Sequence, residues 1–147
     1  MIVLDASVAA KCYLAEANSD KAIELMAGDA KLFAPELIRV EVSGAICRHV
    51  REGKLTEDEV KLRCDKWRQH LAEDVVSLVP DKDLLSRAEL LAIELRHPVQ
   101  DCLYLALAQQ HDVPLVTADD VFQKKAIMSN YIQVEALASF RVSRDSV

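Results

Sequence analysis

The sequence predicts an α/β protein in which a central, mostly parallel sheet is covered by helices on both faces, in three layers. Three observations carry this expectation. Short apolar runs, too brief for helices, alternate with longer segments rich in Ala, Leu, Glu, Lys and Arg, and strands alternating with helices build a parallel sheet. Only three Gly and four Pro occur in 147 residues, too few for the tight turns of an all-β chain. The hydrophobic fraction of 51% in a chain of this length suits one domain with its own core. That domain is expected over residues 1–138, with a polar, frayed tail over 139–147.

Each element has its own signal. Met1–Leu4 reads as a buried strand, because Ile2-Val3-Leu4 is apolar, rich in β-branching and short. Ser7 is expected to cap a helix over Ser7–Leu14. Ser19 is expected to cap a second helix over Ser19–Ala27, stopped by Gly28. Lys31–Ala34 reads as a strand. Pro35 then fits the first turn of a long helix to about Glu52, closed by Gly53. Thr56 and Glu59 form a capping box for the next helix, which carries Val60, Cys64, Trp67 and Leu71 as an apolar stripe. Val75–Val79 reads as a strand. A helix from about Lys82 presents Leu84, Ala88, Leu91 and Leu95 on one face, and His97-Pro98 breaks the chain. Val99–His111 reads as helix, Pro114–Thr117 as strand, Asp119–Met128 as helix, and Tyr131–Val134 as a last strand.

The totals limit the function. A net charge of −6 implies no broad basic field, so any nucleic-acid contact must be local. The same excess of acid fits a site that collects a cation, although ordinary solubility explains most of it. Cys12, Cys47, Cys64 and Cys102 form no C-x-x-C pair and sit in expected helices, which reads as free thiols in a reducing cytoplasm. The four His lack zinc-site spacing. No signal peptide or membrane span is read.

Four carboxylates stand where propensity and packing alone do not want them. Asp5 follows the first strand, and Asp119 follows the strand ending at Thr117. Ligands of open α/β sheets sit outside the carboxyl ends of the strands. Glu41 lies in a stripe of Leu37, Ile38, Gly44 and Ala45, where a lone carboxylate is costly without compensation. Asp101 lies in the first turn of its helix, on the face of Tyr104, Leu105 and Ala108. A turn role for Asp5 and a helix-terminus role for Asp101 are the structural alternatives. Carboxylates held 4 Å apart repel by about 4 kcal/mol per pair at an effective dielectric of 20. Together they need a cation, and an all-oxygen donor set selects a hard ion, Mg²⁺ or Mn²⁺. Such a site suits phosphodiester hydrolysis. Ser7 and Thr117 are placed to orient the carboxylates, or serve only as caps.

The segments VLDAS around Asp5, APELIRVEV around Glu41, PVQDCLYLALA around Asp101 and LVTADD around Asp119 occur in an order and spacing that resemble the PIN-domain superfamily. Within it, the chain is similar to the VapC-type toxins of toxin–antitoxin pairs. The resemblance implies a PIN-like three-layer fold. It implies a Mg²⁺- or Mn²⁺-dependent endoribonuclease, usually a homodimer, blocked by a cognate antitoxin protein. It implies that Asp5, Glu41, Asp101 and Asp119 are the catalytic, metal-binding acids, with Ser7 and Thr117 in support. Gln100 departs from the aromatic many members carry before the third acid. Asp120 beside Asp119 leaves two candidates for the fourth acid, with the Thr-x-Asp pattern favouring Asp119.

Candidate RNA contacts are Arg39, half a turn from Glu41, and Lys124, with Lys125 beside it. Arg48, His49, Arg51 and Lys54 form a further basic cluster, which normal helix C-terminal charge explains as well. An antitoxin helix fits the apolar surface of the Pro35–Leu71 helical pair. Trp67 is its best single anchor candidate, although a core position suits it better. A haloacid-dehalogenase-like phosphatase would want an acid where Ser7 stands. A response-receiver domain would want a Lys after Leu115–Thr117. The non-enzymatic rival is a catalytically silent PIN fold that binds RNA or protein.

Overall fold

A computed structural model describes residues 1–141 of the chain. Its centre is a five-stranded sheet of β1 (Ile2–Leu4), β2 (Leu32–Pro35), β3 (Ser77–Val79), β4 (Leu115–Thr117) and β5 (Val134–Ala136). The spatial order is β3-β2-β1-β4-β5 and every pairing is parallel. The order runs outward from β1 in both directions, so β1 and β4 flank the point where the connection reverses. Crevices open at such a point, at the carboxyl ends of the strands. The register sets Leu4 beside Val116, and the Asp5 N–H continues the ladder to the Val116 carbonyl at 3.1 Å. Asp5 and Thr117 therefore emerge side by side.

Among the described residues seven helices cover the sheet: α1 (Ala6–Ala10), α2 (Ser19–Ala27), α3 (Ile38–Arg51), α4 (Glu57–Ala72), α5 (Leu85–Leu95), α6 (Val99–His111) and α7 (Asp120–Met128). α6 crosses β1, β2 and β4 and packs on α5, so all of its residues from Cys102 to Ala108 are buried. That explains a helix apolar on every side. α1 packs on α3 and α2, and α3 on α4. The capping box forms as expected, with the Thr56 hydroxyl accepting from the Glu59 N–H at 3.2 Å. Gly53 exits α3 with φ +69°, a left-handed conformation that suits glycine.

Several boundaries differ from the sequence expectation, each for a local reason. Ser7 is not the cap of α1. Asp5 takes that position in extended conformation, and the α1 helix ends at Ala10 because the N–H groups of Lys11, Cys12 and Tyr13 turn back by three residues. Asn18 precedes α2 as its cap, while the Ser19 hydroxyl accepts from Glu16 N–H and donates to the Leu14 carbonyl. Pro35 belongs to β2, where it pairs with Val79, and α3 starts three residues later. The first strand after α4 begins at Ser77, since Val75 N–H is still bonded to the His70 carbonyl of the helix exit. Asp81–Asp83 forms a 3-10 turn before α5. Tyr131 N–H closes the end of α7 onto the Ala126 carbonyl, which delays β5 to Val134. Leu137–Ser139 forms a further 3-10 turn and Phe140 packs against the core, so the expected tail is ordered at its start, and 142–147 lie outside the described residues.

Trp67 lies wholly in the core. Its indole N–H donates to the Arg39 carbonyl at 3.2 Å, and its ring meets Tyr13 edge-on at 5.6 Å. It holds α4 to α3 and is no surface anchor.

Candidate active site

Asp5, Glu41, Asp101 and Asp119 line one cavity of about 190 Å³, together with Ala6, Ser7, Ala10, Ala45 and Arg48. The fold brings them together from four elements. Asp5 leaves β1, Glu41 sits in the first turn of α3, Asp101 in the first turn of α6, and Asp119 caps α7. Asp120, the first residue of α7, is exposed and is not among the lining residues.

Each acid has one oxygen held by a protein donor. Asp5 Oδ2 accepts from Ser7 Oγ at 2.5 Å and from Thr117 Oγ1 at 2.9 Å. Glu41 Oε1 accepts from the Tyr104 hydroxyl at 2.7 Å. Asp101 Oδ2 meets His97 Nε2 at 2.5 Å. Asp119 Oδ1 accepts from Phe122 N–H at 3.0 Å, the N-cap bond of α7. Among the described residues no donor reaches the second oxygen of Asp5, Glu41, Asp101 or Asp119. Ser7 and Thr117 also knit the strand ends together. Ser7 Oγ accepts from Ala118 N–H at 2.9 Å, and Thr117 Oγ1 accepts from Asp119 N–H at 3.0 Å.

The electrostatics are those of crowded negative charge. Burial pushes the Asp5 carboxyl up to about 6 from its ordinary 3.8, against the pull of the Ser7 and Thr117 bonds and with the charges of Asp101 and Asp119 adding to the rise. Burial also raises Glu41; the Tyr104 bond opposes that rise, and the charges of Asp5, Asp101 and Asp81 reinforce it. Burial and the neighbouring acids raise the Tyr104 hydroxyl far above its usual range, so it remains a donor. Among the described residues, no Lys or Arg forms an ion pair with any of the four acids. Ligand atoms of His97, Asp101 and Asp119 lie within 4.8 Å of one another. Oxygen donors of like charge, half restrained and without a cationic partner, fit a hard divalent cation.

Arg39 and Lys124, the expected RNA contacts, are exposed and do not line this cavity. Arg39 contributes its carbonyl to Trp67 instead. Arg48 does line it, along with a neighbouring groove of about 360 Å³ that also holds Lys11, His49 and Lys54. Helical phase decides this: Arg48 is seven residues, nearly two turns, from Glu41 and shares its face, whereas Arg39 points away. His97 and Tyr104, which the sequence does not single out, contact Asp101 and Glu41. Their signal was the i+4 spacing from His97 to Asp101 and a Tyr on the face of Asp101. A larger cavity, about 690 Å³, lies apart, between α2 and α4, with Ile23 and Leu62 exposed beside it.

No helix among the described residues is long and apolar enough to cross a membrane. All four cysteines are free, with Cys47 and Cys64 sulfurs 3.9 Å apart.

The family model described as PIN domain matches residues 2–128. The chain is also 30% identical over 125 residues to the ribonuclease VapC3 of Pyrobaculum aerophilum, covering 84% of this chain and 93% of that protein. With this match across nearly all of the fold, the chain belongs to the PIN-domain family, and within it to the VapC-type group.

Proposed function

We propose that the protein is a divalent-metal-dependent endoribonuclease, the toxin of a toxin–antitoxin pair. The observation that carries the reading is the common state of the four acids: each has one oxygen tied by a protein donor and one without a donor, all lining one cavity. The likeness to a ribonuclease supports RNA as the substrate class.

Asp5, Glu41, Asp101 and Asp119 would hold Mg²⁺, with Mn²⁺ as a substitute. When bound, such a cation would supply positive charge to offset the negative charge that develops on a phosphodiester as its bond breaks. The chain's own residues do the rest. Ser7 and Thr117 fix the Asp5 carboxylate, so it needs no reorganisation when charge arrives. Tyr104 does the same for Glu41. Arg48 faces the cavity and offers a bidentate partner to a phosphate. In the groove beyond it Lys11 and Lys54 pair with Glu16 and Glu52, so Arg48, which forms no ion pair among the described residues, is the local cationic contact for a flanking strand.

An antitoxin chain and a second copy of this chain belong to the same reading. The apolar margin of the cavity between α2 and α4 supports the first. Exposed Leu90, Ile93 and Met128 support the second. A cytoplasmic setting accompanies both.

The test is cleavage of total cellular RNA by partner-free protein in Mg²⁺, in Mn²⁺ and in chelator, beside Asp5→Asn and Asp101→Asn. Discrete metal-dependent cuts that vanish in both variants are expected. Bound but uncut RNA under every metal would overturn the enzymatic reading in favour of a silent binding module.

A further inference from the structure

His97 lies in the three-residue link between α5 and α6. Arg96 ends α5 in the left-handed region (φ 52°) and Pro98 starts the next helix, so the link has little freedom. The His97 side chain is only 6% exposed and stacks on Phe122, rings 4.8 Å apart and 21° from parallel. Phe122 is fully buried, and its N–H is the one that holds Asp119.

Both ring nitrogens have partners. Nε2 meets Asp101 Oδ2 at 2.5 Å, and Nδ1 meets Lys125 Nζ at 3.2 Å. Lys125 Nζ also donates to the Arg96 carbonyl at 3.0 Å, which fixes the ammonium over the link. An ammonium has donors and no acceptor. Nδ1 must therefore accept, and the ring proton sits on Nε2, aimed at Asp101. The partner of one ring nitrogen sets which tautomer serves the other.

We propose that Lys125 and His97 form a donor chain that orients the Asp101 carboxylate for cation binding. His97 is a positioning residue, and Lys125 selects its tautomer. The inference rests on the reading of Asp101 as a metal-binding acid. It adds that the α7 segment, through Phe122 and Lys125, governs two acids at once. Partners of this kind commonly change metal affinity by 10- to 100-fold.

The test uses the full chain, free of partner. Mn²⁺ binding is measured by calorimetry for wild type, His97→Gln, His97→Leu, Lys125→Met, Asp5→Asn and Asp101→Asn. The two acid variants are expected to lose Mn²⁺. His97→Leu is expected to bind at least tenfold more weakly. His97→Gln, whose amide can still donate to Asp101, is expected to stay within about threefold of wild type. Equal weakening by Leu and Gln, or none by Leu, overturns the proposal. Long-range ¹H–¹⁵N correlation of the imidazole supplies a readout that packing alone would not move. The Nε2–H tautomer is expected in wild type, with a mixture in Lys125→Met. An Nδ1–H tautomer in wild type overturns the proposal even if His97→Leu fails to fold. Mn²⁺ binding retained in both acid variants would sink the metal reading instead, while the tautomer still decides what His97 does.

Discussion

The Tyr104 hydroxyl donates to Glu41 Oε1 across 2.7 Å, joining the core of α6 to the first turn of α3. Tyr104 is fully buried, and its donor is the compensation that a carboxylate in an apolar stripe requires. Removing it in Tyr104→Phe leaves that oxygen of Glu41 without its partner. A loss of about 1.5–3 kcal/mol is expected, the range for hydrogen bonds to charged groups. Urea unfolding checks the stability. Titration of Glu41 by NMR checks the cause, since its carboxyl is expected to rise further without the bond.

Asp5 makes the metal-free protein pH-sensitive. Its folded value of about 6 stands above its ordinary 3.8, so the folded state holds the proton more tightly than the unfolded chain. Its contribution is fully present below the ordinary value and is lost as pH rises through about 6. Asp5→Asn keeps an acceptor for Ser7 and Thr117 without the buried charge. The variant is expected to be more stable than wild type by up to roughly 3 kcal/mol at neutral pH, with the gap shrinking toward pH 4. Urea melts in chelator across that range check it; a gap that does not change with pH contradicts it. Added Mn²⁺ is expected to raise the melting temperature of wild type only.

Arg48, and not Arg39 or Lys124, is expected to matter for RNA. In an Asp101→Asn background, Arg48→Ala should weaken single-stranded RNA binding and reduce the salt slope by about 0.7. Arg39→Ala and Lys124→Ala should leave both nearly unchanged. Fluorescence anisotropy over a salt series reads all three, and an equal effect from Arg39 would contradict the prediction.

Thr117→Val removes a buried hydroxyl that donates to Asp5 and accepts from the Asp119 N–H. It is expected to cost about 1–3 kcal/mol because the buried donor and acceptor lose a partner together. Trp67→Ala is expected to cost about 3–5 kcal/mol, the range for emptying a core aromatic site. Thermal unfolding of the two variants checks both, and a Trp67 variant of normal stability would contradict its core role.

The sequence by itself determined the class of fold and singled out four acids that the fold gathers at one cavity. Alternating short and long apolar segments specify strands and helices through local periodicity. Asp5, Glu41, Asp101 and Asp119 were legible because each breaks a local pattern: an acid at a strand end, in an apolar stripe, or on a core-facing helix turn. The capping box of Thr56 and Glu59 was legible because both partners lie within one turn. Tertiary structure decided the rest. Glu41 and Tyr104 are 63 residues apart, and Asp5 and Thr117 are 112 apart; no local period encodes such pairs. The local sequence allows Ser7 either a capping role or a role orienting a carboxylate, and the fold gives its hydroxyl Asp5 Oδ2 and the Ala118 N–H of the adjacent strand end as partners. Arg48, and not Arg39, lines the cavity of the acids because packing of α3 on α1 sets which helical face meets them. Local chemistry wrote the candidates, and tertiary packing chose their partners: β1 beside β4 brings Thr117 to Asp5, and α6 against α3 brings Tyr104 to Glu41, because only the folded chain sets such distant groups within hydrogen-bond reach.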